Sequence, residues 1–324
     1  MNVLFFIGNG FDLNIGMHTS YGDFYKYYQQ VDSQSDAITR LKKEIAKNIK
    51  YWSDLELALG QYLENIKTVS EFDEVFEDIG EKLSEYLLKE EEKFDFSKID
   101  RKRLFDNLAF PEDILLRADT NKIALFRRTW KGETWNVQII TFNYTTTLEK
   151  IVGDKQNNLQ IGTHHNRNIL LEGIVHIHGY ANDRMVMGVN DVSQIKNNSF
   201  KQNIDVLEAI VKSTCNQAYR HTIDNHCKQL VSKANLICIF GSSIGDTDII
   251  WWELIGEQLK RDCLLVIFAK SEEISPRIAY KKARLERHIK ESFLKKIKFN
   301  AENKVTIADK IYIGLNTNIF NLRK

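Results

Sequence analysis

Val3-Leu4-Phe5-Phe6-Ile7-Gly8-Asn9-Gly10-Phe11-Asp12 begins as an unbroken apolar run and ends in a glycine turn. A strand apolar on successive residues is buried on both faces, as a central strand of a parallel sheet is when helices cover both sides. The turn carries the chain from the carboxyl end of that strand into a helix. Gly8 and Gly10 allow close backbone approach there. Such a turn serves either the packing of two loops or the approach of a pyrophosphate, and these residues alone leave both readings open.

The pattern of strand, polar turn and helix recurs down the chain. Residues 136–142 end at Asn143 before a helix-like 146–152. Residues 169–171 and 174–177 read as two short strands, the second closing on His178-Gly179, and a helical stretch follows over 203–233. Leu236–Phe240 leads into Gly241-Ser242-Ser243-Ile244-Gly245-Asp246 and a helix over 247–260. Residues 263–268 form one more strand, then come a basic helix over 276–298 and a final strand pair over 305–313. Strands alternating with helices predict an α/β fold with a Rossmann-like, doubly wound parallel sheet. Between Tyr21 and Trp130 the period becomes helical: Trp52, Leu55, Leu59, Tyr62, Leu63 and Ile66 share one face. Phe72, Val75, Phe76, Ile79, Leu83 and Leu87 share another. Residues 20–130 are therefore expected to be a large helical insertion within one domain spanning 1–324.

A 324-residue chain with 43% hydrophobic residues can bury a full core, and only two prolines and no Gly/Ser tract leave no flexible linker. The formal charge of +1, from 45 basic and 44 acidic residues, gives no global field toward nucleic acid or anionic membrane. Cys215, Cys227, Cys238 and Cys263 make no C-x-x-C pair and read as reduced structural thiols. The opening apolar run is too short for a signal-peptide core, and no run approaches the roughly 18 residues of a membrane span. A cytoplasmic protein without membrane contact is expected. Helix 276–298 carries Arg277, Lys281, Lys282, Arg284, Arg287, Lys290, Lys295, Lys296 and Lys298 against few acids. A solvated face is the favoured reading, with a nucleic acid or acidic partner as the other.

In a parallel sheet, ligands collect at the carboxyl ends of the strands. Gly8, Asn143, His178 and Gly241 all stand just after predicted strands and are expected to share a pocket. Each also has an ordinary structural reading. Asn143 with Thr145 can cap the next helix, and Asp246, Thr247 and Asp248 suit a helix start. His176 and His178 are expected to point to opposite faces of their strand, and either can be a hydrogen-bonded structural histidine. That placement makes the pair a poor metal site, and His164-His165 has no partner at ligand spacing, so no metal is expected.

The run Phe6-Ile7-Gly8-Asn9-Gly10-Phe11-Asp12-Leu13, followed by Gly16, Thr19, Tyr21, Asp23 and Phe24, closely resembles the opening signature of the bacteriophage abortive-infection AbiH family. Further family-like blocks are Trp52-Ser53-Asp54-Leu55-Glu56, Thr141-Phe142-Asn143-Tyr144, His176-Ile177-His178-Gly179 and the stretch from Phe240 to Asp248. More distantly, the same blocks are similar to sirtuin-type NAD-binding domains. That resemblance implies that Gly8, Asn9, Gly10, Phe11 and Asp12 cradle the pyrophosphate and nicotinamide side of NAD. It gives Asn143 the ribose or the attacking water, and His178 the part of base. Ser242 and Ser243 would lie near the adenosine half, with Tyr144, Gly179, Gly241, Asp246 and Asp248 completing the binding set. Sirtuin deacylases carry a four-cysteine zinc module, for which this chain has no spacing, so protein deacylation is not expected. Thr145 stands where sirtuins have an aspartate that grips the nicotinamide amide, which leaves Asp12 to take that part. The resemblance thus implies an antiphage effector that hydrolyses NAD at the nicotinamide glycosidic bond, with NAD as substrate and no cofactor. A nucleotide-sensing or partner-binding module and a nuclease are the alternatives. A second copy of the chain or another defence-system protein would be the macromolecular partner.

Overall fold

The opening apolar run forms β1 (Asn2–Ile7), and in the computed structural model of the protein, which describes residues 1–299 and 301–324, it lies at the centre of a seven-stranded sheet. The chain continues through α1 (Gly10–Ile15), α2 (Tyr21–Tyr28), α3 (Asp36–Lys47), α4 (Leu55–Tyr62), α5 (Val69–Lys93), α6 (Arg101–Ala109) and α7 (Arg117–Arg127). Next come β2 (Trp135–Thr141), α8 (Thr147–Val152), β3 (Leu159–His164), β4 (Arg167–His176), α9 (Ile204–Ile210), α10 (Lys212–Ala218) and α11 (Ile223–Lys233). The last elements are β5 (Leu236–Phe240), α12 (Ile249–Leu259), β6 (Leu264–Ala269), α13 (Tyr280–Lys296), α14 (Ala301–Ala308) and β7 (Ile311–Leu315).

The strand order is β3-β4-β2-β1-β5-β6-β7, parallel throughout except for the β3–β4 pair. Phe5 faces Ile139 of β2 on one side and Cys238 of β5 on the other. The chain thus builds the sheet outward from β1 in one direction as far as β3, then returns to build β5, β6 and β7 in the other. A crevice opens at the carboxyl end of β1, where that reversal splays the loops leaving β1, β2 and β5.

Apolar side chains fix the layers. Val3, Phe5 and Ile7 meet residues of α1, α6, α7 and α8 on one face of the sheet, including Phe11, Leu108, Ile123 and Leu148. Leu4 and Phe6 on the other face meet α11, α12, α13 and α14 through Val231, Trp252, Phe293 and Ile307. A third apolar cluster joins α2, α3, α4, α5 and α9 around Phe24, Trp52, Phe72 and Val206, over the carboxyl edge of the sheet. The helical run from Tyr21 to Trp130 therefore divides. Its first part forms this arm above the crevice, and its second part, α6 and α7, covers a sheet face.

Three sequence expectations need correction. Residues 169–177 are not two strands: β4 runs unbroken to His176, with a register irregularity that skips Glu172 between Leu171 and Gly173. Residues 305–313 are not a strand pair, because α14 extends to Ala308 and β7 begins at Ile311. Val305 and Ile307 are spaced like strand residues, yet Val305 is 70% exposed while Ile307 is buried. Edge strand β3 was not expected at all. It is joined to β4 by His165 and Asn166, both with positive φ (42° and 62°), the geometry of a tight hairpin.

All four cysteines are buried as free thiols. Burial pushes Cys215 up to about 11 and Cys227 up to about 12, as structural thiols require. Among the described residues no helix is long and apolar enough to cross a membrane. The exposed basic side chains of α13 include Lys281, Arg284, Arg287 and Lys295, while Phe293 on the opposite face anchors the helix to the core.

Candidate functional site

Two loops meet at the carboxyl end of β1. Gly8 N–H donates to Phe240 O (2.9 Å), Gly10 N–H to Gly241 O (2.8 Å), and Phe11 N–H to Gly8 O (2.9 Å). A Cβ on Gly8 would stand 2.7 Å from Gly241 O, and one on Gly10 would stand 2.5 Å from Gly241 Cα. Gly241 itself has a φ of 70°. These glycines let the β1–α1 and β5–α12 loops pack backbone against backbone, and the amides of Gly8, Gly10 and Phe11 are already engaged. Asn9 holds the loop to Thr19: its amide donates to Thr19 O (2.8 Å) and its Oδ1 accepts from Thr19 Oγ1 (2.6 Å). Phe11 is fully buried against Phe240 and Phe320, behind the loop rather than in the crevice.

Beyond β2 the backbone is fixed from both sides. Thr141 Oγ1 donates to Ile7 O (3.1 Å) and accepts from Asn143 N–H (3.1 Å), while the His176 Nδ1 bonds Asn143 O (2.8 Å). The side-chain Oδ1 of Asn143 is buried without a partner. Neither Asn143 nor Thr145 caps α8. That helix starts after Thr146 with no side-chain cap, and Thr145 Oγ1 donates instead to Asp12 Oδ2 (2.6 Å). Asp12 is fully buried, and burial pushes its carboxyl up to about 7 against the opposing pull of Thr145, Thr147 and Asn143. Its Oδ1 has no partner in hydrogen-bond geometry.

His176 and His178 go to different places, but not because strand alternation separates them. Residues i and i+2 share a face. The strand ends at His176, whose Nε2 meets Glu149 (2.7 Å) and whose ring stacks on Tyr180. His178 lies past that end, before the turn at Gly179 (φ 72°), with its ring near Phe142 and Nε2 2.9 Å from Asp248 Oδ1. Its Nδ1 is buried and unpartnered.

Asp248 sits at the start of α12 without capping it, contrary to expectation, because its carboxylate is committed elsewhere. Besides His178 it accepts from Lys212 Nζ (2.9 Å), which also donates to Glu56 Oε2 (2.8 Å) and Thr247 O (3.2 Å). The Tyr144 hydroxyl lies 3.0 Å from Glu56 Oε1. Burial opposes charge on Asp248, yet Lys212 and His178 hold its carboxyl well below the usual carboxylate range. Likewise burial opposes charge on Lys212, and Asp248 and Glu56 hold its ammonium above the usual lysine range. An ionised Asp248 can only accept, so the proton of a neutral His178 sits on Nε2 and the Nδ1 lone pair is free.

One cavity of about 390 Å³ gathers Gly8, Asn9, Gly10, Asp12, Asn143, Tyr144, His178, Gly241, Ser242, Ser243 and Asp248. Tyr21, Asp54, Leu83 and Leu87 close it from the helical arm. Gly10, Asp54, Gly241, Ser242 and Ser243 also border a second chamber of about 750 Å³ under α13, lined by Phe268, Ile289 and Lys296. Three expected site residues stand outside the first cavity. Phe11 is in the core, Gly179 packs its backbone on Arg184 O, and Asp246 borders the second chamber, where Lys296 pairs with it. Sequence reasoning assigned no part to Lys212, Glu56, Asp54 or Tyr21. For the last three the family-like blocks were a signal, whereas nothing in the sequence marks Lys212. Among the described residues no three His, Cys, Asp or Glu side chains group as metal ligands.

The family model described as bacteriophage abortive infection AbiH matches residues 4–269, which takes in every residue lining the first cavity. A search of curated proteins finds no match.

Proposed function

Because the chain belongs to the bacteriophage abortive-infection AbiH family, we propose that it is an antiphage effector that cleaves NAD with water, on a sheet of the Rossmann-like, sirtuin type. The observation that carries this reading is the set of three unpartnered buried atoms, Asp12 Oδ1, Asn143 Oδ1 and His178 Nδ1, on side chains lining one cavity. A buried polar atom left unpaired costs about 1–3 kcal/mol, which a ligand with matching donors recovers. Nicotinamide supplies carboxamide donors for Asp12. A ribose hydroxyl or a water supplies one for Asn143 and one for His178. The adjoining chamber, whose walls combine Ile244, Phe268 and Ile289 with polar groups such as Ser292 and Lys296, suits the adenosine half, and Ser242 and Ser243 stand between the two compartments.

In the reaction the bond from ribose C1′ to the pyridinium nitrogen breaks, nicotinamide leaves with the bonding pair, and a water oxygen bonds to C1′. The proton lost by that water passes to His178 Nδ1. Nicotinamide and ADP-ribose result. The sugar passes through an oxocarbenium-like state, which a closed site with oriented polar groups stabilises. The test is nicotinamide release from NAD by purified protein, with and without extract of infected cells. Tight NAD binding without release under both conditions would replace the enzyme with a nucleotide sensor.

A further inference from the structure

A buried chain of charges stands behind His178. Lys212 spends its three protons on Asp248, Glu56 and Thr247 O, and the side chains of Lys212, Glu56 and His178 are all less than one-tenth exposed. With His178 neutral, two carboxylates face one ammonium. A proton on His178 brings the buried group to electrical balance.

We propose that Lys212 is a positioning residue of this site. It keeps Asp248 available as the acceptor for His178 Nε2–H, so that Nδ1 is the free nitrogen, and together with Glu56 it sets the pH at which that nitrogen takes a proton. Glu56 belongs to α4, so the helical arm contributes directly to the basicity of the histidine.

The other titratable groups around the cluster are Asp54, Tyr21, Tyr144 and, across the cavity, Asp12. Burial, followed by the charge of Glu56, keeps Tyr21 and Tyr144 protonated far above neutral pH, and burial raises Asp54. Asp12 titrates near neutrality and is best removed from the measurement as Asp12→Asn.

The inference rests on the proposed function only for its purpose, since its test needs no turnover. In the Asp12→Asn background, the ring of His178 is titrated by NMR with no further change, with Lys212→Met and with Glu56→Gln. Removing the neighbouring cation should raise the His178 midpoint by about one pH unit or more, and removing the neighbouring anion should lower it by a similar amount. Opposed shifts support the inference even if NAD is never cleaved. Unmoved midpoints, or shifts of the same sign, in folded variants overturn it. Should Lys212→Met not fold, the sign of the Glu56→Gln shift decides alone. Where turnover is detected, the acid limb of the rate profile should move in the same two directions, which a merely structural lysine would not cause.

Discussion

Asp12 is a buried carboxylic acid at the cavity wall, and desolvation raises its pKa to about 7 from an ordinary 3.8. The folded protein therefore holds this proton more tightly than the unfolded chain. The associated stability is complete below about pH 4 and is lost as pH rises through 7, at about 1.4 kcal/mol per unit. Asp12→Asn, which mimics the neutral acid, should lack that loss. Urea unfolding of both proteins at about pH 4, 6 and 8 checks it, and parallel stability curves would remove Asp12 from the account. If Asp12 also receives the nicotinamide amide, Asp12→Ala should lose the preference for NAD over nicotinic acid adenine dinucleotide. The ratio of the two cleavage rates measures that preference. Asn143 is held by its backbone through Thr141 and His176, so Asn143→Ala should fold normally. Its cleavage rate should fall a hundred- to a thousandfold, about 3–4 kcal/mol, as for loss of one oriented polar group. A near-normal rate would end its assignment. That Asn143 and His178 line one cavity was legible, because residues just past the strands of a parallel sheet converge on one edge. The bond between Lys212 and Glu56 was not, since it joins residues 156 positions apart and nothing local to either announces the other.

The strands were readable where burial on both faces made them uniformly apolar, as in β1 and β5, and unreadable where only one face is covered. β3, at the sheet's edge, buries only Ile161 and His164, and its turn depends on two positive-φ residues that are not glycine. Loop packing was half legible. The glycines announced a close approach, but the sequence did not say that the approaching group was another loop. Gly241→Ala tests that contact. A methyl group there would lie 2.7 Å from Phe11 N and 2.8 Å from Gly8 O at a φ that L residues rarely adopt. We expect a loss of about 2–4 kcal/mol in chemical unfolding, beyond the roughly 1 kcal/mol of ordinary glycine exchanges. A neutral outcome would show that the two loops move apart cheaply.

Across the whole molecule, the sheet supplies the reactive edge and the arm of α2 to α5 supplies its roof, through Tyr21, Asp54, Leu83 and Leu87. Binding should therefore be felt in both. With Asn143→Ala to prevent turnover, NAD should slow amide hydrogen exchange in residues 53–56 and 83–87 as well as in 241–245. Protection confined to 241–245 would mean the arm does not clasp the ligand. The place of β1 at the sheet's centre also governs how the molecule comes into being. β1 leaves the ribosome before the other strands of the sheet, yet its two neighbours begin at Trp135 and Leu236, and Phe320 packs on Phe5, Phe11 and Phe240. Contacts so distant along the chain close late and slowly. During synthesis this apolar strand must wait, shielded, for partners not yet translated, and no nascent stretch that stops short of Asp248 carries the cavity.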